Sequence, residues 1–171
     1  MIKKTFISLL ALPLITACGF TPLHSAPNTA SNVSFEDVSI KITDGADLGD
    51  KEAGFFVMQR LRDRIGENTG KHILTLDPRL SRVGFGVNSI DVASRFDSII
   101  SVNYTLKDAK SGKTLMNGSV RAVSTFGAPR DPYGLIAAEK SAVQQITKEA
   151  ADRLLIKLAG FYANSDNLTG K

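Results

Sequence analysis

The chain has 171 residues, 43% hydrophobic and 22% charged, with one Cys, two His and no Trp. That is enough apolar material for the core of one ordinary domain, and it excludes collagen-like, low-complexity and disulfide-scaffold proteins. One Cys forms no internal disulfide, two His are too few for a multi-histidine metal centre, and the net charge of +4 points only weakly to anionic partners.

Met1 to Cys18 read MIKKTFISLLALPLITAC. Lys3 and Lys4 precede a short apolar run, Phe6 to Ile15, interrupted by Pro13. A membrane-spanning helix needs about 20 apolar residues. A positive start, a short apolar centre and small residues behind it describe an export signal, residues 1–17. Its end, Leu14-Ile15-Thr16-Ala17-Cys18, resembles the bacterial lipobox, with Thr16 where Ala, Ser or Gly is commonest. The resemblance implies that the Cys18 sulfur carries a diacylglycerol and that Cys18 becomes the mature N-terminus, chemistry that a thiolate supports and a hydroxyl does not. Acyl chains hold a protein on a membrane by about 0.8 kcal/mol per buried CH₂, and more than one makes the attachment durable. Gly19 follows the Cys; in enteric-type sorting, which this resembles, that implies the outer membrane. Loss of Lys3 and Lys4 with the signal leaves 19 Lys and Arg against 17 Asp and Glu, a net +2. Nucleic acid is not an expected partner.

Phe20 to Asn32 is rich in Pro, Ser, Thr and Asn and reads as a tether, so residues 18–32 form a lipidated N-terminus. One domain follows, residues 33–162, and residues 163–171 read as a frayed polar tail. Val38, Ile40 and Ile42 alternate as in a half-buried strand. Asp47 or Asp50 caps a helix in which Phe55, Met58, Leu61, Arg62 and Ile65 recur at helical spacing, stopped by Asn68 and Gly70. Ile73 to Val87 is extended but broken at Asp77-Pro78, with Leu74 and Leu76 alternating before the break and Val83, Phe85 and Val87 after it.

A hairpin covers Phe96 to Phe126. Phe96, Ile100, Val102, Tyr104 and Leu106 face one way on its first strand, and Met116, Val120, Ala122 and Phe126 on its second. Bringing both sets to one face requires partners of equal parity and hence an odd loop. Three residues with Gly112 in the left-handed conformation satisfy this. Asp131-Pro132 opens a final helix, a cap followed by Pro at the first helical position. Leu135, Ala142, Ile146, Ala150, Leu154 and Leu158 form its buried stripe, with Val143 and Leu155 beside it. The fold class is α+β, a two-layer sandwich of order β-α-β-β-β-α. Both helices cover one face of a mostly antiparallel four-stranded sheet, and the other face is polar.

No constellation favours catalysis. His24 lies in the tether and His72 at a strand start, neither near a partner at motif spacing. Gly84-Phe85-Gly86 lacks the third glycine and following helix of a nucleotide site and reads as a strand kink. Glu36 and Asp37 are adjacent and point apart. The chain reads as a non-enzyme without cofactor or metal. Asp97, Ser101, Asn103, Thr105, Asn117, Ser119, Arg121 and Thr125 share the polar face, which is suited to dock against the polar interior of another protein. Arg79, Arg82 and Arg95 flank it and are able to meet phosphates bidentately.

The segment Cys18-Gly19-Phe20-Thr21-Pro22-Leu23-His24 resembles the CGFxPLY-type opening of the lipopolysaccharide-assembly lipoproteins, the LptE family, in its alphaproteobacterial form. Ser94-Arg95-Phe96 through Tyr104-Thr105-Leu106, the Ser111-Gly112-Lys113 turn and Gly118-Ser119-Val120-Arg121 are similar to the family too. So is the final helix, from Pro132-Tyr133 through Ala138-Glu139-Lys140-Ser141-Ala142 to Leu158-Ala159. His24 stands where Tyr is commoner, and Thr125-Phe126 where a Ser-Tyr pair is usual. The resemblance implies helices on one face of a four-stranded sheet. It implies a lipoprotein that plugs an LptD-like outer-membrane barrel from the periplasmic side and helps deliver lipopolysaccharide to the cell surface. Barrel lumens are polar, which makes Asn103, Thr105, Asn117 and Ser119 the candidate barrel-facing residues. The resemblance further implies basic lipopolysaccharide contacts near the sheet edge or loops, for which Arg95 and Arg121 are the candidates. The alternative is an accessory lipoprotein of another envelope complex, such as an ABC-type lipid transporter.

Overall fold

Even-numbered positions face the core in all four strands, and that single parity organises the protein. The computed structural model describes residues 38–43, 47–66, 70–87 and 93–168. The signal segment, Cys18, the tether with His24, and the Glu36–Asp37 pair lie outside the described residues. The elements run β1 (Val38–Ile42), α1 (Leu48–Ile65), β2 (His72–Val87), β3 (Ala93–Asp108), β4 (Thr114–Gly127) and α2 (Pro132–Leu168). The strands lie in the order β1-β2-β3-β4. β1 is parallel to β2 across the α1 crossover, and β2, β3 and β4 form an antiparallel meander.

Register carries the even parity across the sheet, as in the row Ile40–Leu74–Leu106–Met116. Val38, Leu74, Leu76, Ile100, Val102, Leu106, Val120 and Ala122 meet Ala53, Val57 and Leu61 of α1 and Ile146, Ala150, Leu154 and Leu158 of α2 in one core. Each fully buried aliphatic side chain contributes about 1.5–3 kcal/mol. Both helices lie on this face, as the sequence implies. Arg60 on α1 and Asp152 on α2 tie the helices together with an ion pair at 3.2 Å.

Several local expectations give way to packing. The buried stripe of α1 is Asp50, Ala53, Gly54, Val57, Leu61 and Ile65, whereas Phe55 is half exposed. Leu61 and Ile65 are buried as expected and Met58 packs against the core, but the first turns of the helix approach the sheet on small residues: a Cβ at Gly54 would stand 2.7 Å from Cγ of Pro78. Asp47 occupies the N-cap position without a side-chain cap bond, and the helix ends at Gly66, with φ of 82° and its N–H on the Arg62 carbonyl, before Asn68 and Gly70. Only glycine adopts that backbone at little cost.

β2 is continuous through Asp77-Pro78, which pair with Asn103 and Val102. The Leu76 carbonyl accepts from Thr43 N–H on the β1 side. Pro78 shares that parity, so its missing N–H falls on the side where β1 has already ended. A proline is tolerated at such an edge. Within Gly84-Phe85-Gly86, Gly86 takes a left-handed backbone with φ of 65°, while the register is unchanged from Phe85–Arg95 to Val87–Ala93.

The β3–β4 turn is even rather than odd. Asp108 N–H donates to the Lys113 carbonyl, leaving four residues between them, with Gly112 at φ of 69°. Parity is restored by a bulge, since Leu106 pairs with Met116 but Lys107 with Thr114, so Leu115 is the extra residue. The even sets then face each other as expected, Phe96 opposite Phe126 and Ile100 opposite Ala122.

α2 begins at Pro132 with Asp131 as its cap, Oδ2 accepting from Gly134 N–H at 2.6 Å. Its stripe is as read, with Thr147 and Ala151 added and Leu135 only half-buried. The helix runs on to Leu168, past the boundary at 162. Residues 161–168 contain neither Gly nor Pro, and extending a formed helix is far easier than nucleating one. At about 1.5 Å per residue it spans the sheet end to end.

Candidate functional site

The odd-numbered positions form the opposite face of the sheet, against which no described element packs. From the β1 end, its rows are Thr75–Thr105–Asn117, Asp77–Asn103–Ser119, Arg79–Ser101–Arg121, Ser81–Ile99–Val123, Val83–Asp97–Thr125 and Phe85–Arg95–Gly127. The four expected docking residues are thus contiguous: Asn103 lies opposite Ser119, and Thr105 opposite Asn117. Amides beside hydroxyls present donors and acceptors together, so this patch is able to match another polar wall.

Arg95 and Arg121 share the face but not a site. They are six residues apart in register, or about 20 Å along the strands, too far to hold one anionic group between them. Arg95 lines a cleft of about 500 Å³ at the far end of the sheet, with Phe85, Gly86, Thr125, Phe126 and Gly127. There Asp97 accepts from the Thr125 hydroxyl at 2.6 Å. Arg121 sits mid-sheet, and its carbonyl accepts from Arg153 of α2 at the β4 edge.

The other two flanking arginines are engaged. Arg79 bridges Asp77 at 3.2 Å and Asp50 at 3.3 Å. Arg82 lies on the helix face, 5.1 Å over the Phe96 ring and paired with Glu139 at 2.7 Å. It therefore fastens the sheet to α2 rather than meeting ligand on the open face.

The open face is less uniformly polar than its hairpin half implies. Val83, Phe85 and Val123 are exposed on it, at 42%, 48% and 40%. The signal was present in the numbering: Leu74 and Leu76 are even, Val83 and Phe85 odd. In a continuous strand that change of parity places them on opposite faces. Reading a break at Pro78 hid it.

His72 is not simply exposed. It is half-buried, with Nδ1 2.8 Å from the Tyr162 hydroxyl, and joins β2 to α2. Among the described residues no cluster of His, Cys, Asp or Glu is arranged to hold a metal ion, and no described helix is long and apolar enough to cross a membrane. Among the described residues two groups have displaced acidities. Burial pushes the Tyr104 phenol up. Asp108 is held below the usual carboxylate range by the Ser111 backbone N–H and hydroxyl, helped by Lys110 N–H and the nearby His72.

The family model LptE, described as lipopolysaccharide-assembly, matches residues 35–158, from just before β1 into the last third of α2. The chain belongs to the LptE family. Solved structures repeat the fold. A candidate lipoprotein from Caulobacter crescentus CB15 is 23% identical with a TM-score of 0.60, over 77% of this chain and 94% of that one. The rare lipoprotein B of Shewanella oneidensis is 19% identical with a TM-score of 0.57, over 75% and 98%. An uncharacterized lipoprotein B from Nitrosomonas europaea is 14% identical with a TM-score of 0.58, over 81% and 94%. No curated protein sequence matches the chain. Membership of the LptE family places the chain in lipopolysaccharide assembly, hence in the cell envelope, in a family of accessory lipoproteins.

Proposed function

We propose that the chain is an outer-membrane lipoprotein, anchored through lipid on Cys18, that seats its domain in the lumen of an LptD-like translocon barrel on the periplasmic side. There it aids the transport and insertion of lipopolysaccharide at the cell surface. The observation that carries the reading is the uncovered sheet face, with Asn103, Thr105, Asn117 and Ser119 in two adjacent rows. A barrel lumen is polar and would satisfy those amides and hydroxyls while excluding the bulk solvent they now face. The helices hold that face rigid from behind, so docking costs little ordering entropy. Arg95, beside Phe85 and Phe126 in the cleft, offers a cation against apolar walls, which suits a phosphorylated amphiphile. No step in this role requires a cofactor, metal or catalytic group. Pulldown of the full-length protein from detergent-solubilised native membranes tests it. Recovery of a large β-barrel protein together with lipopolysaccharide is the expected result. Recovery of an inner-membrane transporter complex, or of no barrel, overturns it.

A further inference from the structure

We propose that the open sheet face docks against a carboxylate-rich wall of its barrel partner, with Lys41, Lys107 and Arg121 as the contacting cations. This rests on the barrel-seated reading above and adds the chemistry of the surface that must meet it. Among the described residues the face carries five cations, Lys41, Arg79, Arg95, Lys107 and Arg121, against two carboxylates, Asp77 and Asp97. Asp50 of α1 also pairs with Arg79, which leaves a surplus of two, equal to the net +2 of the whole chain after residue 17, so the positive charge of the protein is concentrated here and the remainder sums to neutral. The two carboxylates of the face are not paired with its other four cations. Asp77 is taken by Arg79, and Asp97 accepts from Thr125. Lys41, Arg95, Lys107 and Arg121 are exposed, and no described carboxylate lies within ion-pair distance of them.

Their spacing favours a protein wall over a lipid headgroup. Lys107 and Arg95 stand twelve residues apart on β3, about 40 Å, and Lys41 and Arg121 lie on the two outer strands. Phosphate binding needs cations that converge; these are distributed, one per few rows, with Asn103, Ser119, Thr105 and Asn117 between them. Charges spread through a flat hydrogen-bonding surface set the register and rate of docking against an opposite potential. Only Arg95 sits in a concavity, and it is left out of the proposed contact set.

Full-length Lys107→Glu plus Arg121→Glu, compared with wild type and with the control Lys148→Glu plus Lys157→Glu on the exposed side of α2, tests the proposal by barrel recovery from native membranes. The sheet-face variant is expected to recover the barrel at least tenfold less than wild type, with unchanged circular dichroism and melting temperature, while the helix control recovers it fully. Zero-length carbodiimide coupling of the wild-type complex is expected to join Lys41 or Lys107 to Asp or Glu peptides of the barrel. Wild-type recovery by the sheet-face variant overturns the proposal, as does loss of lipopolysaccharide binding with barrel recovery intact, which would make the face a lipid-binding one. If the wild type itself recovers no barrel, the functional reading fails instead, so the two failures are distinguishable.

Discussion

Tyr104 of β3 lies directly across from Gly118 of β4, and a Cβ on Gly118 would stand 2.6 Å from its hydroxyl oxygen and 3.0 Å from Cζ. The ring is 4% exposed and therefore has nowhere to retreat. Gly118→Ala is expected to destabilise the domain by about 1–3 kcal/mol, the usual range for overpacking, measured by urea denaturation. The penalty shrinks in a Tyr104→Leu background, since residues in contact couple. Additive effects of the two changes would show that the ring does not fill the space over the glycine.

Asp50 is 7% exposed on the first turn of α1 and faces β2 rather than its own helix end. Its Oδ1 accepts from Leu80 N–H at 2.6 Å, and Oδ2 from Arg79 at 3.3 Å. Leu80 lies beyond the end of β1, where β2 has lost its strand partner, so Asp50 stands in for the missing backbone acceptor. Asp50→Ala strands that N–H and is expected to cost about 1–3 kcal/mol. Asp50→Asn keeps an acceptor and costs less, while Asp47→Ala, with no side-chain cap bond to lose, stays near wild type in thermal unfolding. A larger loss at Asp47 than at Asp50 would refute the assignment.

These two relationships mark the limit of what the residues disclose in order along the chain. The alternation of Ile100, Val102, Tyr104 and Leu106 and the stripe from Ala142 to Leu158 are local patterns, and they give the layers and the facing of both helices. Gly54 under Pro78, Asp50 under Leu80 and Gly118 under Tyr104 are contacts between elements, and no local period encodes them. The shared open face of Asn103, Thr105, Asn117 and Ser119 was legible because strand parity fixes it. The distance between Arg95 and Arg121 was not, because it depends on the register between β3 and β4, which the bulge at Leu115 sets.

Asp108 gives an acid-side signature. Its carboxylate accepts from the Ser111 backbone N–H at 2.7 Å, the Ser111 hydroxyl at 2.8 Å and Lys110 N–H at 3.1 Å, and its acidity is raised accordingly. A group whose folded pKa lies below its unfolded value stabilises the fold above the unfolded value, and that contribution is lost as pH falls through the folded one. The turn is therefore expected to weaken only below about pH 4, the ordinary carboxylate region. In Ser111→Ala the Asp108 titration, followed by carboxyl NMR, moves up toward the ordinary value without reaching it, since the backbone donors remain. An unmoved titration would remove the hydroxyl from the account.

The proposed lipid anchor makes Cys18 the residue on which the location of the protein depends. Cys18→Ala is expected to leave the chain unprocessed or soluble and without acyl label, because no other residue in the chain offers a thiol. Fractionation of cells fed a labelled fatty acid measures both effects. Normal acyl labelling of the variant would refute lipidation at this position.

The separation of Arg95 from Arg121 makes their effects on lipopolysaccharide independent. Arg95→Ala removes the cation from the cleft formed with Phe85 and Phe126 and is expected to weaken binding of phosphorylated lipopolysaccharide several-fold at low salt. The loss should diminish as salt screens the wild-type interaction. Arg121→Ala, about 20 Å away, is expected to leave that affinity near wild type and to act on barrel recovery instead. Sites this far apart with no shared partner add, so the double variant should bind lipopolysaccharide as the Arg95→Ala protein does. A double loss greater than the two single losses combined would mean that one extended ligand spans both arginines. Unchanged affinity in Arg95→Ala would move the ligand contact away from the cleft altogether.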